Sequence, residues 1–320
     1  MAAADIPADI YNHPFVLEVS KHFPGAIVTA VRPKESDMVD MSPSKFEPFS
    51  RAFQAHIDAA LETAQQEQEP RTYLGGSRLG HDCARALAYE YTHTPVDTGR
   101  HSPGSLLRVF DMGHDIETRT ANYLRKAGFT MLTERADGRQ FGFYIAKHPE
   151  TGEPRIAGHL DGVITAGPDV LGDVKPGMAT GTFSPLAYPM LWENKGLNAK
   201  GWAKTLKQGV KRAKPIYYTQ MQVYMHHLDL SANPGLFTAT NRDTGELYAE
   251  LVPFDPAAVQ EAIDKGVKVI TAQSPEELPR AGGNREKPPC MWCSYQDRCW
   301  SAPASGGAAT PAPNWMAPPA

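Results

Sequence analysis

A carboxylate and an ammonium occur two residues apart at the end of an apolar run, in Glu193-Asn194-Lys195. On a β-strand, residues i and i+2 point to the same face, so these two side chains are expected to lie side by side. The carboxylate can hold a divalent cation, and the lysine can stabilise charge on a phosphate or orient a water molecule. Asp161, expected on a neighbouring strand, supplies a second oxygen ligand. Two carboxylates with water suit Mg²⁺ or Mn²⁺.

The same pattern has an ordinary structural interpretation, because acidic and basic residues two positions apart are common in exposed strands. A second example at 173–175, Asp-Val-Lys, lies in a stretch rich in glycine and proline, and no apolar strand precedes it. The apolar run before Glu193 therefore favours Glu193 and Lys195 as the chemical pair.

Gln220 and Tyr224 are four positions apart, so they share one face of a predicted helix. An amide and a phenol on one face can contact the phosphate and sugar of a bound strand. The alternative is that Tyr217, Met221 and Tyr224 simply pack this helix against the core. Spacing alone leaves both interpretations open.

The charge is unevenly distributed along the chain. Residues 1–70 carry 11 acidic and 5 basic residues, whereas 71–320 carry 25 acidic and 27 basic ones. The densest basic stretch, 195–214, contains no acidic residue. Four of its lysines recur at helical spacing: Lys200, Lys204, Lys207 and Lys211. Like charges on one face repel, and a bound polyanion would relieve that repulsion. A solvated helix face is the alternative.

The chain contains four cysteines, three of them in a C-x2-C-x5-C cluster: Cys83, Cys290, Cys293 and Cys299. Four thiolates are what one tetrahedral metal ion or one iron–sulfur cluster takes. Two disulfides are an alternative, but the acidic start of the chain does not predict a secretory signal, and a reducing cytosol favours metal ligation. Zinc sites usually show two C-x2-C pairs, so this pattern fits zinc less well.

Hydrophobic periodicity predicts a mixed α/β core over residues 71–300. An N-terminal extension of unknown role (1–70) precedes this core, and a disordered Ala/Pro-rich tail (301–320) follows it. Helices are predicted over 49–68, 78–91 (with Ser77 as N-cap and Cys83 in the first two turns), 105–127, 199–212, 216–228 and 256–272. Strands are predicted over 129–134, 139–147, 155–164, 188–195 and on both sides of 241–245, with a short one at 169–175 and the cysteine cluster in a loop. No apolar run is long enough to predict a transmembrane helix, so we expect a cytoplasmic protein without membrane association.

The ordered motifs resemble the PD-(D/E)XK nuclease superfamily and, within it, the RecB-like exonucleases. The family order is a helix with G-x-x-x-H/E, a strand aspartate, E-x-K and then Q-x-x-x-Y. In this chain it reads Gly113 to Glu117, Asp161, Glu193 to Lys195, and Gln220 to Tyr224. The resemblance implies an α/β restriction-endonuclease-like core, with helices flanking a central mixed sheet.

The resemblance also implies residue roles. It makes Asp161, Glu193, the Asn194 carbonyl and Glu117 the metal ligands, and Lys195 the catalytic lysine. It makes Gln220 a catalytic residue that also contacts DNA, together with Tyr224 and the lysines at 200, 204, 207 and 211. His114 is shifted by one turn from the family position, so its role stays open beside that of Glu117.

The cysteine pattern narrows the resemblance to AddB-type nucleases and CRISPR-associated RecB-like exonucleases, possibly phage-encoded members of them. It implies a [4Fe–4S] cluster that joins the two ends of the nuclease domain. Two departures from the family stand out. The gap between Asp161 and Glu193 is long, which implies an insertion, and residues 1–70 have no recognised counterpart.

The expected function is a Mg²⁺- or Mn²⁺-dependent DNA exonuclease that prefers single-stranded ends, in recombination, repair or DNA processing. A nuclease that processes ends in CRISPR adaptation is an alternative, and the expected partners besides DNA are recombination or CRISPR-adaptation proteins. The alternatives are a non-cleaving DNA-binding or adaptor protein with a degenerate nuclease fold, and a zinc-stapled structural protein. The sequence does not determine the cleavage polarity, the biological pathway or the oligomeric state.

Overall fold

The computed structural model of this protein describes residues 8–28, 43–168 and 186–301. The chain divides into two units, Met1–Ile57 and Asp58–Ala320. In the first unit, a short 3₁₀ turn precedes helix α1 (Pro14–His22), whose start is capped by the side chain of His13. Helix α2 (Pro43–Glu67) begins in this unit and ends in the second, and it starts earlier than the predicted 49–68. None of the helices in the described ranges has the length and apolar character needed to span a bilayer.

The second unit alternates helices and strands. Its helices after α2 are α3 (Ala84–Tyr91), α4 (Gly104–Lys126), α5 (Ala199–Ala213), α6 (Pro215–His227), α7 (Pro256–Thr271) and α8 (Gln296–Ser301). Its strands are β1 (Leu74–Gly75), β2 (Thr130–Leu132), β3 (Gly142–Lys147), β4 (Pro154–His159), β5 (Gly162–Ala166), β6 (Met190–Leu197), β7 (Gly235–Asn241) and β8 (Leu247–Val252).

The strands form two mixed sheets. The larger has the order β2-β5-β6-β7-β8, in which β6 and β7 are parallel and the other neighbours antiparallel. The smaller has the order β1-β4-β3, with β1 parallel to β4. Parallel neighbours need a crossover, and α5 and α6 provide it between β6 and β7. The predicted mixed α/β fold with flanking helices is confirmed, with its strands shared between two sheets.

The predicted strand 155–164 is wrong in one respect, because it is two strands in different sheets. The chain leaves β4 at His159, bends at Asp161 and enters β5 at Gly162. The backbone N–H of Leu160 donates to Phe141, and its side chain is buried. Aspartate is disfavoured inside strands, and here it stands where the chain passes from one sheet to the other.

The predicted helix 78–91 is also shorter than expected. Ser77 lies in a 3₁₀ turn and caps no α-helix, while α3 begins at Ala84 with Cys83 as its N-cap. The reason lies at Gly80, where an added Cβ would stand 2.6 Å from the Cα of Ile216. This close backbone approach to α6 holds the segment before Cys83 outside the helix, so Cys83 precedes the first turn instead of lying within it.

The remaining predicted elements match the structure to within a few residues, with two qualifications. The cysteine cluster is not one loop, because Cys290 starts a 3₁₀ turn and Cys299 lies on α8. The possible strand at 169–175, the second acid–lysine pair at 173–175 and almost all of the tail lie outside the described residues.

The main core lies between α6, α7 and the sheets. Met221, Val223 and Met225 of α6 are fully buried, and they belong to one apolar cluster with Leu191 of β6 and Phe237 of β7. Helix α6 is therefore buried on most of its surface. This burial fixes the position of every polar side chain that α6 presents to its surroundings.

Candidate active site

Strand β6 carries the central acid and lysine. It lies inside the larger sheet between β5 and β7, and its first residues, Met190, Leu191 and Trp192, are buried. Trp192 pairs with Gly162 of β5 in the antiparallel register, which brings the preceding Asp161 beside the middle of β6. The apolar run therefore anchors the strand, and the pairing with β5 delivers the second carboxylate.

The three side chains at the end of this run are in direct contact. Asp161 Oδ2 accepts a hydrogen bond from the backbone N–H of Asn194 at 2.8 Å and lies 3.5 Å from Lys195 Nζ. The same ammonium forms an ion pair with Glu193 Oε1. The Glu193 side chain is 0 % exposed and the Lys195 side chain 23 % exposed. The lysine is therefore the solvent-facing member of the pair, and the glutamate lies deeper.

Burial and neighbouring charge shift the pKa values of these groups. Burial, followed by the charge of Asp161, raises the pKa of Glu193 to about 8, against the opposing effect of Lys195. For Lys195, burial acts to lower the pKa, but the carboxylates of Asp161 and Glu193 outweigh it and the pKa is raised. The lysine is therefore a permanent cation.

Glu117 faces the same site from helix α4. Burial and the charge of Asp161 raise the pKa of its carboxyl to about 7, while Lys195 opposes the shift. His114, one turn earlier, is exposed on the wall of the same cleft. Of the two helix residues left open by the sequence, Glu117 is the one whose charge is coupled to Asp161 and Lys195.

The oxygen atoms of the site suit a divalent cation. Glu193 Oε2 is buried and has no hydrogen-bond partner among the described residues, and such an oxygen is costly unless something pairs with it. Glu193 and Asp161 contact the same lysine, so together they offer the hard oxygen ligands that Mg²⁺ and Mn²⁺ prefer. Within the described ranges no three acidic, histidine or cysteine side chains are drawn together around one point, and Lys195 stands between the two carboxylates. The residues fit a divalent ion in chemistry, with the lysine as its competitor.

Helix α6 places Gln220 and Tyr224 behind the carboxylates. The Gln220 side-chain amide donates to Glu193 Oε1 at 2.6 Å, and Gln220 is nearly buried. Tyr224 is buried against Phe143, with ring centroids 5.1 Å apart in an edge-on arrangement. Both residues line the cleft that contains Asp161 and Lys195, but the Gln220 amide already donates a hydrogen bond to Glu193. Their contact with DNA stays a prediction.

The predicted continuous lysine face is wrong for Lys211. Helix α5 is interrupted at Gly209, whose φ of +72° is a conformation that glycine adopts without strain. Lys200, Lys204 and Lys207 are exposed before this interruption. Lys211 follows it and forms an ion pair with Asp255 at 3.0 Å. A glycine inside a helical pattern is the signal that could have shown the break.

One large cleft contains this site, with a volume of about 1640 Å³. Its wall includes three residues that spacing did not single out: Lys214, Tyr217 and Arg242. The ammonium groups of Lys195 and Lys214 lie 5.6 and 6.0 Å from the centre of the Tyr217 ring. Lys214 belongs to the basic stretch of the sequence, whereas Arg242 lies in a turn and has no comparable signal.

The four cysteines line the same cleft as free thiols, three of them buried and Cys293 half-buried. Burial raises the pKa of Cys293, and so do the neighbouring charges of Cys83, Cys299 and Cys290. The structure therefore places the distant Cys83 near the C-terminal cysteines, and their binding of a cluster stays a prediction. Within the described residues, no three of these side chains form a group that could hold a single metal ion.

Hydrogen bonds also join the two ends that these cysteines bracket. Arg85, on the helix that Cys83 caps, donates to the carbonyl oxygens of Leu278 and Glu276, each at 2.7 Å. The backbone N–H of Asp97 donates to Ser294 O at 2.9 Å. The C-terminal segment is therefore held by the protein itself as well as by anything that the thiols bind.

Comparison with solved structures finds similar folds at low identity. A crystal structure of a protein named SSO0001 has 15% identity, covers 80% of this chain and 96% of its own, and gives a TM-score of 0.43. The alkaline exonuclease LHK-Exo from Laribacter hongkongensis has 16% identity over 67% of this chain and 90% of its own, with a TM-score of 0.36. The same exonuclease in complex with dAMP has 16% identity over 67% of this chain and 89% of its own, with a TM-score of 0.36. No protein-family model and no curated protein sequence matches the chain.

The raised carboxyl pKa values predict a pH dependence of stability. A carboxyl whose pKa is raised by folding stabilises the fold fully below its unfolded pKa, and this contribution is lost as the pH rises through the folded pKa. For Glu117 and Glu193 that range runs from 4.5 to about 8. We expect the melting temperature in EDTA to fall by several degrees across this range. Glu193→Gln, which cannot ionise, should show a flatter profile, and identical profiles for the two proteins would contradict the assignment.

Proposed function

We propose that this protein is a metal-dependent nuclease that hydrolyses phosphodiester bonds in DNA. The observation that carries the proposal is the contact of Asp161, Glu193 and Lys195 at the end of a buried strand, with one glutamate oxygen that has no hydrogen-bond partner among the described residues. Hard oxygen donors beside a fixed cation are the groups that stabilise a phosphate under attack by water.

A bound Mg²⁺ or Mn²⁺ would be held by Asp161, Glu193, the Asn194 carbonyl and Glu117, and would supply an activated water and charge neutralisation. Lys195 stabilises the charge on the scissile phosphate, because it is cationic and partly exposed at the entrance. Gln220 orients Glu193 through its amide. Glu117 and Glu193 lose their protons to bind the ion, so metal affinity should decrease as the pH is lowered through their pKa values, about 7 and about 8.

The preference for single-stranded ends is supported by the surface of the cleft. Trp292, between Cys290 and Cys293, is 72 % exposed and lines the same cleft as Asp161 and Lys195. Exposed aromatic rings beside cationic side chains bind unpaired bases by stacking, whereas bases inside a duplex are not available to them. A single strand is therefore the substrate form that this cleft suits.

The cysteines are proposed to hold a [4Fe–4S] cluster. Four free thiols line one cleft, and the charges of the other three cysteines act on Cys293, which supports this proposal. The cluster would supply a structural link between the start and the end of the domain. A protein purified without oxygen should be brown with iron and sulfide present, whereas a colourless protein with stoichiometric zinc would contradict the proposal.

Digestion of end-labelled DNA tests the nuclease. We expect shortening of single-stranded oligonucleotides with Mg²⁺ or Mn²⁺, none with EDTA, and at least about tenfold slower digestion of the matching duplex, because exposing each base pair costs stacking energy. Blocking the 5′ or 3′ end then gives the polarity. Binding of DNA without any cleavage under all metal conditions would favour a non-cleaving DNA-binding protein instead.

A further inference from the structure

Two cationic side chains that line the cleft, Lys214 and Arg242, and a third near Lys214, Lys204, form no ion pair with a carboxylate in the part of the chain that the structure describes. Burial lowers the pKa of Lys214, and the charges of Lys204 and Arg242 lower it further, so each of these two cations lies close enough to repel Lys214. Within residues 58–168 and 186–301, no ion pair joins any of them to a carboxylate. An uncompensated cationic cluster is unfavourable, and it costs more where one member is half-buried.

The backbone holds this cluster in a defined place. Lys214 Nζ lies 3.2 Å from the position that a Cβ on Gly201 would occupy, so the lysine reaches back to the first turn of α5. Arg242 packs its Cδ 3.3 Å from the corresponding position on Gly196, directly after Lys195 on β6. Both side chains therefore pack against glycine backbone, where a larger residue would displace them.

The cluster borders the scissile position. Lys195 and Lys214 approach the same ring, that of Tyr217, at 5.6 and 6.0 Å from its centre. Lys195, Lys214, Tyr217 and Arg242 all line one cleft. An anion bound by Lys214 and Arg242 would therefore lie next to a phosphate held by Lys195.

We propose that Lys214 and Arg242 form a phosphate subsite that binds the terminal phosphate monoester of a nucleic-acid strand next to the position of cleavage. The proposal rests on the proposed nuclease function and names a group that this site recognises. A terminal monoester carries up to two negative charges, whereas each backbone diester carries one, so the monoester compensates these two cations better. The bound end phosphate would set where the strand is cut.

Binding measured without cleavage tests the subsite. Fluorescent single-stranded oligonucleotides carrying a 5′-phosphate, a 3′-phosphate or hydroxyls at both ends are titrated with the full chain in EDTA. One phosphorylated end should bind about tenfold more tightly than the hydroxyl ends, as expected for the loss of one charge-assisted contact. Lys214→Gln and, as a second variant, Arg242→Gln should remove this difference. Lys268→Gln, which changes an exposed lysine on α7, should preserve it.

The outcomes separate the subsite from the nuclease function. Equal affinity for phosphorylated and hydroxyl ends, with Lys214→Gln weakening all three oligonucleotides, would overturn the terminal-phosphate assignment and indicate backbone contacts. Equal behaviour of Lys214→Gln and Lys268→Gln would overturn the subsite altogether. Both results leave cleavage with Mg²⁺ intact, whereas a wild-type protein that binds no DNA would overturn the subsite and the nuclease proposal together. Melting temperatures close to that of the wild type show that the variants are folded.

Discussion

Replacing Lys195 by alanine should lower the rate of metal-dependent DNA hydrolysis at least about 10²-fold, the scale seen when one preorganised group that stabilises transition-state charge is removed. The ammonium contacts both Asp161 and Glu193, and its side chain is partly exposed where a phosphate would enter. Alanine removes the charge that faces the phosphate and leaves the ligand oxygens in place. The measurement is the single-turnover rate on end-labelled single-stranded DNA at saturating Mg²⁺ or Mn²⁺.

Folding must be separated from chemistry in this variant, because Lys195 also neutralises two carboxylates. Its loss leaves Glu193 buried beside Asp161, so the melting temperature should fall at high pH more than at low pH. Comparing rates at a temperature where circular dichroism shows both proteins folded removes this effect. Lys268→Ala, which removes an exposed lysine on α7, should retain wild-type activity. A folded Lys195→Ala protein with undiminished hydrolysis would refute the assigned role.

Replacing Cys83 or Cys290 by alanine should remove the visible colour and bound iron first, and reduce activity only as a consequence of lost stability. The two residues are separated by more than 200 positions in the sequence and come together in one cleft. A link of this kind stabilises mainly by restricting the unfolded chain, so its loss should cost roughly 2–5 kcal/mol, as for a native disulfide. For a domain of this size that lowers the melting temperature by roughly 5–15 °C.

The hydrogen bonds between the two ends predict that the cysteine variants still fold. Arg85 donates to the carbonyls of Leu278 and Glu276, and the backbone of Asp97 donates to Ser294, so these bonds remain when Cys83 or Cys290 is replaced, although Arg85 also contacts Cys299 Sγ at 3.9 Å. Iron content, visible absorption and melting temperature are measured together with the nuclease rate at low temperature. Met291→Ala, next to Cys290, is the matched control and should keep its iron. A Cys83→Ala protein with full colour would show that Cys83 is not a ligand.

The elements that carry the chemistry were predictable where local patterns decide structure. The apolar run before Glu193 gives strand β6, and a strand necessarily places Glu193 and Lys195 on one face. Helical periodicity likewise gives α6, with Gln220 and Tyr224 one turn apart. These features depend on backbone geometry over a few residues, so the order of residues contains the information.

Other features depend on which distant segments approach one another. Asp161 meets β6 because Gly162 pairs with Trp192, a contact between residues 30 positions apart in the sequence. Cys83 is excluded from its helix because Gly80 packs against the backbone of α6. Neither outcome can be read from local propensity, since both follow from the close packing of segments that are remote in the chain.

For Glu193 and Lys195, too, local sequence decides some features and tertiary packing decides others. Residue types and spacing alone predicted a carboxylate beside an ammonium, because alternation along a strand leaves no other arrangement. The tertiary structure decided that Lys195 also contacts Asp161, that Gln220 orients Glu193, and that Lys214 and Arg242 stand next to them. Burial of the site and its uncompensated charges arise only when separate elements pack together, and they set the pKa values and the ligand that the cleft favours.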